Sequence, residues 1–123
     1  MDKKQNNYKF QEFENRTTDF AKKIIRLCRS LPKDSINNPI FSQIVRSSGS
    51  IGANYREANE AISRKDFLYR LRIARKEAKE THHWLELLKE ANLEVSEKME
   101  NLFREVIEIR NILSAMISKS EKK

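Results

Sequence analysis

Two adjacent histidines, His82 and His83, are the side chains in this sequence with the clearest capacity for chemistry. With Glu80 they form a Glu-x-x-His step, which di-iron helical bundles use on two helices together with a glutamate from each of the others. The chain contains only 2 histidines, so a second such step cannot exist. Adjacent helical residues also point about 100° apart and cannot share one metal. A mononuclear site of His83, Glu80 and a distant carboxylate remains an alternative, but we favour a helix-surface or interface pair beside Trp84.

The other candidate nucleophiles lack partners. Cys28, the only cysteine, falls on the core face of the first predicted helix beside Leu27, which is typical of a small buried hydrophobic residue. No serine or cysteine has a recognisable base partner, and no glycine-rich loop follows a strand pattern. The sequence therefore predicts a protein that is not an enzyme, with no catalytic residue, no metal ligand and no cofactor.

The composition predicts the helices that would position any site. The 123 residues are enough for one hydrophobic core, and only 2 Gly and 2 Pro accompany 35% charged residues, which is typical of long helices joined by short turns. A single cysteine excludes an intramolecular disulfide. No apolar run approaches the ~20 residues that span a bilayer, and the first residues lack the apolar stretch of a signal peptide. We expect a soluble, cytoplasmic protein that does not contact a membrane.

Apolar residues recur at alternating steps of three and four, which predicts four helices. In the first helix this stripe is Thr17, Phe20, Ile24, Leu27 and Leu31. Pro32 ends the first, Asn38 is the predicted N-cap of the second with Pro39 as its first residue, and Ser63 and Ser96 are the predicted N-caps of the third and fourth. Because the connections are short, neighbouring helices should be antiparallel. The predicted fold is all-α, an antiparallel up-down-up-down four-helix bundle.

The bundle is expected to occupy residues 15–118. Residues 1–14 show no sustained period and are predicted to form a loosely ordered N-terminal arm, anchored in part by Tyr8, Phe10 and Phe13. Residues 119–123 form a short charged tail.

Three helices carry more apolar residues than one small core requires. The excess predicts burial against identical copies, in preference to a merely wide core face. The residues expected at this oligomer interface are Phe41, Val45, Ser48, Gly52, Tyr55, Trp84, Leu87, Phe103 and Ile107.

Small residues are concentrated in the second helix, between Ser47 and Asn54. Each glycine inside a helix costs about 1 kcal/mol relative to alanine, so Gly49 and Gly52 indicate a close approach to another helix. A phosphate cradle is the alternative interpretation. It is disfavoured because such loops need the free N–H groups of a helix start.

The segment Gln43-Ile44-Val45-Arg46-Ser47-Ser48-Gly49-Ser50-Ile51-Gly52-Ala53-Asn54, followed by Glu57, resembles the signature of the bacterial four-helix-bundle family associated with intervening sequences in 23S rRNA genes. Further similarity lies in Lys65-Asp66-Phe67-Leu68 and in Ile73-Ala74-Arg75 leading to Glu80, and the resemblance covers residues 16–117. This chain departs from the family at Gly52, where proline is common, and at Ala58, where glycine often follows the glutamate.

The resemblance implies a ring-shaped homo-oligomer of four-helix protomers, with a pentamer expected. A related branch consists of accessory proteins of diversity-generating retroelements, which bind nucleic acid and a reverse transcriptase. By analogy, the partners expected here are copies of the same chain, RNA or DNA, and a reverse transcriptase or another protein.

Positive charge is concentrated at the start of the third helix. The net charge is +7, and Arg64 to Lys79 contain seven basic and two acidic residues, whereas Glu80 to Glu108 contain eight acidic and three basic ones. The predicted bundle would gather the basic residues at one pole, where a phosphate backbone could dock. The alternatives are a solvated helical face, and a protein scaffold that acts through its apolar surface without nucleic acid. The predicted nucleic-acid-binding residues are Arg56, Arg64, Lys65, Arg70, Arg72, Arg75, Lys76 and Lys79.

Overall fold

A computed structural model describes the backbone of residues 3–122 and the side chains of residues 9–122. Every regular element in residues 3–122 is helical. The prediction of an all-α chain with four helices is confirmed. The elements are α1 Lys3–Ser30, α2 Asn37–Asn59, α3 Arg64–Ala91, a 3₁₀ segment Leu93–Met99, and α4 Glu100–Glu121.

Each helix packs against two others: α1 and α3 each lie beside both α2 and α4. Phe13, near the start of α1, meets Tyr55, near the end of α2, edge-on with ring centroids 4.7 Å apart. Arg72, in the first third of α3, pairs with Glu121, the last residue of α4, at 2.6 Å. Such contacts join the beginning of one helix to the end of the next, so consecutive helices run antiparallel.

The core is a continuous apolar interior to which every helix contributes. The stripe predicted in α1, from Thr17 to Leu31 at steps of three and four, is buried throughout. The residues with the least exposure lie in the middle of the helices, where apolar burial contributes roughly 25 cal/mol per Å². They include Phe20, Ile24, Ile44, Ile51, Leu71, Leu85, Leu88, Val106, Ile109 and Leu113.

The second helix begins earlier than predicted, and a different residue caps it. The Oδ1 of Asp34 accepts hydrogen bonds from the N–H groups of Ile36 (3.0 Å) and Asn37 (2.7 Å). This satisfies donors that have no partner inside the helix. The prediction of Asn38 as N-cap is therefore wrong: α2 begins at Asn37, whose side chain is buried.

The start of α4 also differs from the prediction. Ser96 lies inside the 3₁₀ segment, and α4 begins at Glu100 after Met99. The third helix, by contrast, begins as its capping pattern predicted: the Oγ of Ser63 accepts a hydrogen bond from the N–H of Asp66 at 3.0 Å.

The described part of the predicted N-terminal arm is the beginning of α1. The helix is continuous from Lys3, Phe13 is buried, and Glu14 accepts hydrogen bonds from Arg56 and Asn59 of α2. Apolar residues are too sparse here to show a helical period, so the helix and the Glu14 contacts were not predicted, although Phe13 was predicted as an anchor. Residues 1 and 2 and the Tyr8 side chain of the predicted arm, and Lys123 of the predicted tail, lie outside the described residues.

Among residues 3–122, no helix is both long and apolar enough to traverse a bilayer.

Candidate nucleic-acid interface

Four basic side chains share the solvent-facing side of α3. Lys65, Arg72, Lys76 and Lys79 are all exposed, and they are separated by seven, four and three residues. At about 100° per residue these spacings keep the four within one narrow sector of the helix, along ~21 Å of its length. We call these four residues the basic face.

The opposite side of α3 explains why the cations point outward. Leu71, Ala74 and Ala78 lie fully in the core. The small alanines bring the backbone of α3 close to its neighbours and leave no room for a long charged side chain on that side. The basic face is thus fixed by the helical period and does not depend on a loop conformation.

Few carboxylates neutralise the basic face. Arg72 forms an ion pair with Glu121 at 2.6 Å, but both side chains are about half exposed, 47% and 51%, so the pair contributes little. Within residues 3–122, Lys65, Lys76 and Lys79 have no ion-pair partner. Their charge is available to an external anion.

Two acidic residues of α3 beside the lysines of the basic face, Glu77 and Glu80, are bound by Arg46 of α2. Arg46 was not predicted from the sequence as part of this site. Its guanidinium lies 3.3 Å from a carboxylate oxygen of Glu77 and 2.8 Å from one of Glu80. Hydrogen bonding from Arg46 lowers the pKa of Glu80, whereas burial, together with the charge of Glu80, raises the pKa of Glu77. Arg46 therefore forms ion pairs with the two carboxylates that could otherwise pair with Lys76 and Lys79.

Four other basic residues predicted for this site are not part of the basic face. Arg56 donates to Glu14 (2.9 Å) and Thr18 (3.2 Å) of α1. Arg64 donates to the backbone carbonyl of Ser120 at the end of α4.

The remaining two are Arg70 and Arg75. Arg70 points toward α2, where it donates to the Oδ1 of Asn54 at 3.3 Å and lies over the ring of Tyr69. Arg75 follows Arg72 by three residues and precedes Lys79 by four, so it borders the basic face, where it is half-buried. The eight predicted residues therefore do not form one cluster: Arg56 belongs to α2, Arg64 and Arg70 bond to other helices, and Arg75 lies only at the edge of the basic face.

A groove between α2 and α3 adjoins the C-terminal end of the basic face. Lys76 and Lys79 form part of its wall, and Trp84, the only tryptophan of the chain, lies in it half-buried. The full lining is Gln43, Arg46, Lys76, Lys79, Glu80, His83 and Trp84.

Three residues predicted at an oligomer interface lie inside the protomer. Ser48 and Tyr55 are at most 1% exposed, and Gly52 is also buried, because the bundle encloses them. A Cβ at Gly52 would lie 2.8 Å from the Oγ1 of Thr17, so this glycine permits the close approach of α1 to α2. Their assignment to a contact with another copy is wrong: the small-residue stripe packs helices of the same chain.

The other residues predicted at the oligomer interface differ in how far they are exposed to solvent. Val45 and Leu87 are 39% and 40% exposed, and Phe41 and Trp84 pack partly against the core. On α4, Phe103 and Ile107 are half-buried.

The exposed apolar side chains do not share one face. Val45 of α2 precedes Gly52 by seven residues and so lies on the side of α2 that packs on Thr17 of α1. Leu87 of α3 follows Glu80 by seven residues and so lies on the side that bonds to Arg46. The ring of Phe41 lies beneath the ammonium group of Lys33, which follows α1.

The histidine motif is divided among separate contacts. The Nδ1 of His82 lies 2.9 Å from Glu86, and its ring packs on Phe103 with centroids 5.4 Å apart. His83 is exposed and its ring tilts toward Trp84. Within the described part of the chain no three His, Cys, Asp or Glu side chains are placed to hold a metal ion.

Cys28 is 6% exposed, and burial raises the pKa of its thiol to about 11. A thiol that stays protonated near neutral pH is a poor nucleophile.

These features define an antiparallel bundle of four helices with an open cationic face on α3. The chain belongs to the family described as 23S rRNA-intervening sequence protein, whose sequence profile matches residues 11–115. No curated protein is significantly similar to the chain. It is similar to a protein of unknown function from the S23 ribosomal protein family of Bacteroides thetaiotaomicron, whose crystal structure aligns with 38% identity and a TM-score of 0.80 over 89% of this chain and 98% of that one.

Proposed function

We propose that this chain is a non-enzymatic, homo-oligomeric helical module that binds nucleic acid through the basic face of α3. The observation that carries the proposal is the state of Lys65, Lys76 and Lys79, which are exposed and have no ion-pair partner among the described side chains, although acidic residues are nearby in sequence. A stripe of cations without carboxylate partners is the electrostatic footprint of a phosphate-binding surface.

Self-association would strengthen such binding. A single helix face contacts few phosphates, but each copy in an oligomer adds another, and linked sites raise the overall affinity without any new contact. A pentamer, expected from the family resemblance, would present five copies of the basic face. The same surface would suit a complex in which a nucleic-acid-processing protein, such as a reverse transcriptase, holds the strand jointly with this module.

Charge reversal on two sides of the bundle tests the proposal. The triple variant Lys65→Glu, Lys76→Glu, Lys79→Glu should weaken binding to labelled RNA or DNA by about a hundredfold at low salt, because three phosphate contacts become repulsions. The measurement is fluorescence anisotropy.

The matched control reverses three exposed cations on α1, Lys22, Lys23 and Arg26, with the same change in net charge. It should lose much less affinity. Equal losses in both variants would show that only net charge matters, and binding that is absent from the wild-type protein would refute the proposal.

A protein scaffold without nucleic acid is the second candidate, and the exposure of Val45 and Leu87 favours it. Here the exposed apolar side chains are the working surface. The substitution Leu87→Glu should then abolish self-association or partner capture, as seen by sedimentation, while charge reversal on the basic face changes neither.

A further inference from the structure

We propose that the groove between α2 and α3 holds an unpaired base of a single strand against Trp84, so that the protein prefers single-stranded to duplex nucleic acid. This inference rests on the proposed nucleic-acid binding and names its substrate class. The experiment below is arranged so that the two can fail separately.

The aromatic surface in the groove comes from adjacent residues. The rings of His83 and Trp84 have centroids 5.0 Å apart and are tilted by 60°. Trp84 packs partly on the core, with the fully buried Leu85 and Leu88 next to it in α3, and its remaining surface lines the groove. An indole supported from behind by a rigid core is a suitable stacking platform for a nucleobase, since every base has a π-face.

Cations border this platform on one side. Lys79 and Lys76 precede Trp84 by five and eight residues, which is ~7.5 and ~12 Å along the helix axis, and both lie in the groove wall. A strand stacked on Trp84 can therefore continue along the basic face with its phosphates beside Lys79 and Lys76. The groove and the basic face form one path.

Both walls of the groove carry groups that can read a base edge. The carboxylate of Glu80 is held by Arg46 at 2.8 Å, and that hydrogen bond lowers its pKa, so it remains an acceptor for an amino group of a base. Gln43 adds an amide that both donates and accepts. In a duplex the Watson–Crick edges and base faces are already occupied, so only an unpaired base can use these groups.

The groove combines aromatic, charged and amide side chains, and this combination favours a nucleobase over a purely apolar ligand. An apolar partner would leave Lys76 and Lys79 without compensation for lost water, which is costly for charged groups. The groove suits a ligand with an aromatic face, polar edges and negative charge. Nucleotides combine all three.

The single tryptophan makes the test direct. Oligouridine, oligo(dT) and an RNA duplex of equal length are titrated into the protein while Trp84 fluorescence is recorded. Parallel titrations follow the anisotropy of labelled strands. We expect both single strands to quench Trp84 and to bind more tightly than the duplex, with the duplex causing little quenching.

Substitutions separate stacking from charge. Trp84→Leu should weaken single-strand binding by about tenfold to a hundredfold, because stacking on an aromatic side chain is lost, and should leave duplex binding unchanged. Trp84→Phe preserves a ring and should retain most single-strand affinity, which also guards against a folding defect in the leucine variant. Phe10→Leu removes an aromatic residue from α1, remote from the groove, and is the matched control.

The outcomes are distinct. Equal affinity for single strands and duplex, without quenching, overturns the inference and leaves the proposed function intact. Binding of neither refutes both. A change in Trp84 fluorescence that depends only on protein concentration, with no further change on adding a strand, overturns the inference by showing that another copy covers the groove.

Discussion

The interior contacts of α2 and the basic face of α3 were both predicted to meet another molecule, and the structure separates them. Ser48, Gly52 and Tyr55 are enclosed by α1, whereas Lys65 and Lys79 are exposed and unpaired within residues 3–122. A stripe of small residues indicates that some helix approaches closely, and here that helix belongs to the same chain. Uncompensated charge is the better sign of a surface for another molecule.

This comparison predicts a clean division. Substitutions at the interior contacts should change stability and leave nucleic-acid affinity intact, and substitutions on the basic face should do the reverse. Four changes test it.

The largest loss of stability should follow Asn92→Ala. The Nδ2 of Asn92 donates to Asn37 (2.9 Å) and to the carbonyl of Leu88 (2.9 Å), while its Oδ1 accepts from Asn37 (3.0 Å), all in the interior. Truncation leaves the buried amide of Asn37 incompletely bonded, at a cost of about 3 kcal/mol in the free energy of unfolding. Urea denaturation measures it. The control is Asn111→Ala at an exposed position, which should not change the free energy of unfolding. An equal loss in both variants would show that the hydrogen bonds between Asn37 and Asn92 do not stabilise the fold.

Stability should also fall in alkaline solution because of Tyr55. Burial raises the pKa of its hydroxyl from 10.0 to about 12. A raised folded-state pKa stabilises the protein below the unfolded-state value, and this contribution is lost as the pH rises from 10 through 12. At 1.36 kcal/mol per unit the loss approaches ~2 kcal/mol.

The variant Tyr55→Phe isolates this contribution, because other groups titrate in the same range. The wild type should lose stability more steeply than the variant between pH 10 and 12, measured by thermal or urea unfolding. Parallel curves would show that Tyr55 does not contribute.

The two glycines of α2 give a matched pair. A Cβ at Gly49 meets nothing within 4 Å, so Gly49→Ala should stabilise the protein by about 0.5–1 kcal/mol through helix propensity. A Cβ at Gly52 would clash with Thr17, and overpacking typically costs about 1–3 kcal/mol, which offsets or exceeds the same gain. Differential scanning calorimetry should rank Gly49→Ala above Gly52→Ala; equal stability would mean that α1 does not approach closely there.

The smallest effect on stability is expected on the basic face. Lys76→Gln with Lys79→Gln removes two exposed charges that have no ion-pair partner in the described chain, so unfolding should change by less than about 0.5 kcal/mol. The same protein should bind nucleic acid measurably less tightly. A loss of stability comparable to that of Asn92→Ala would erase the distinction between the two regions.

The fold was largely predictable because helical periodicity and composition are local signals. The four helices, the α1 stripe and the Ser63 cap follow from the spacing of apolar residues and from one capping pattern. The start of α2 did not, since Asn38 before Pro39 is a strong local pattern and only the chain path shows that Asp34 reaches the free N–H groups.

The site was predicted only in part because it depends on which helices are neighbours. The period of α3 gives the outward position of Lys65, Arg72 and Lys76 directly. The neutralisation of Glu77 and Glu80 by Arg46 requires the register of α2 against α3, which sequence spacing alone does not specify. Likewise, a second apolar side of α2 could pack on α1 or on another copy, and only the packed structure distinguishes Tyr55 from Val45.

The central claim is that the lysines of the basic face of α3 bind the phosphates of a nucleic-acid strand and displace its counterions into solution. The direct measurement is the slope of log affinity against log salt concentration for the wild type and for Lys65→Gln, Lys76→Gln, Lys79→Gln. Each lost phosphate contact should make the slope shallower by about 0.7 to 0.9, so the variant should differ by about 2 to 3 if all three lysines bind phosphate. Identical slopes in the two proteins would contradict it.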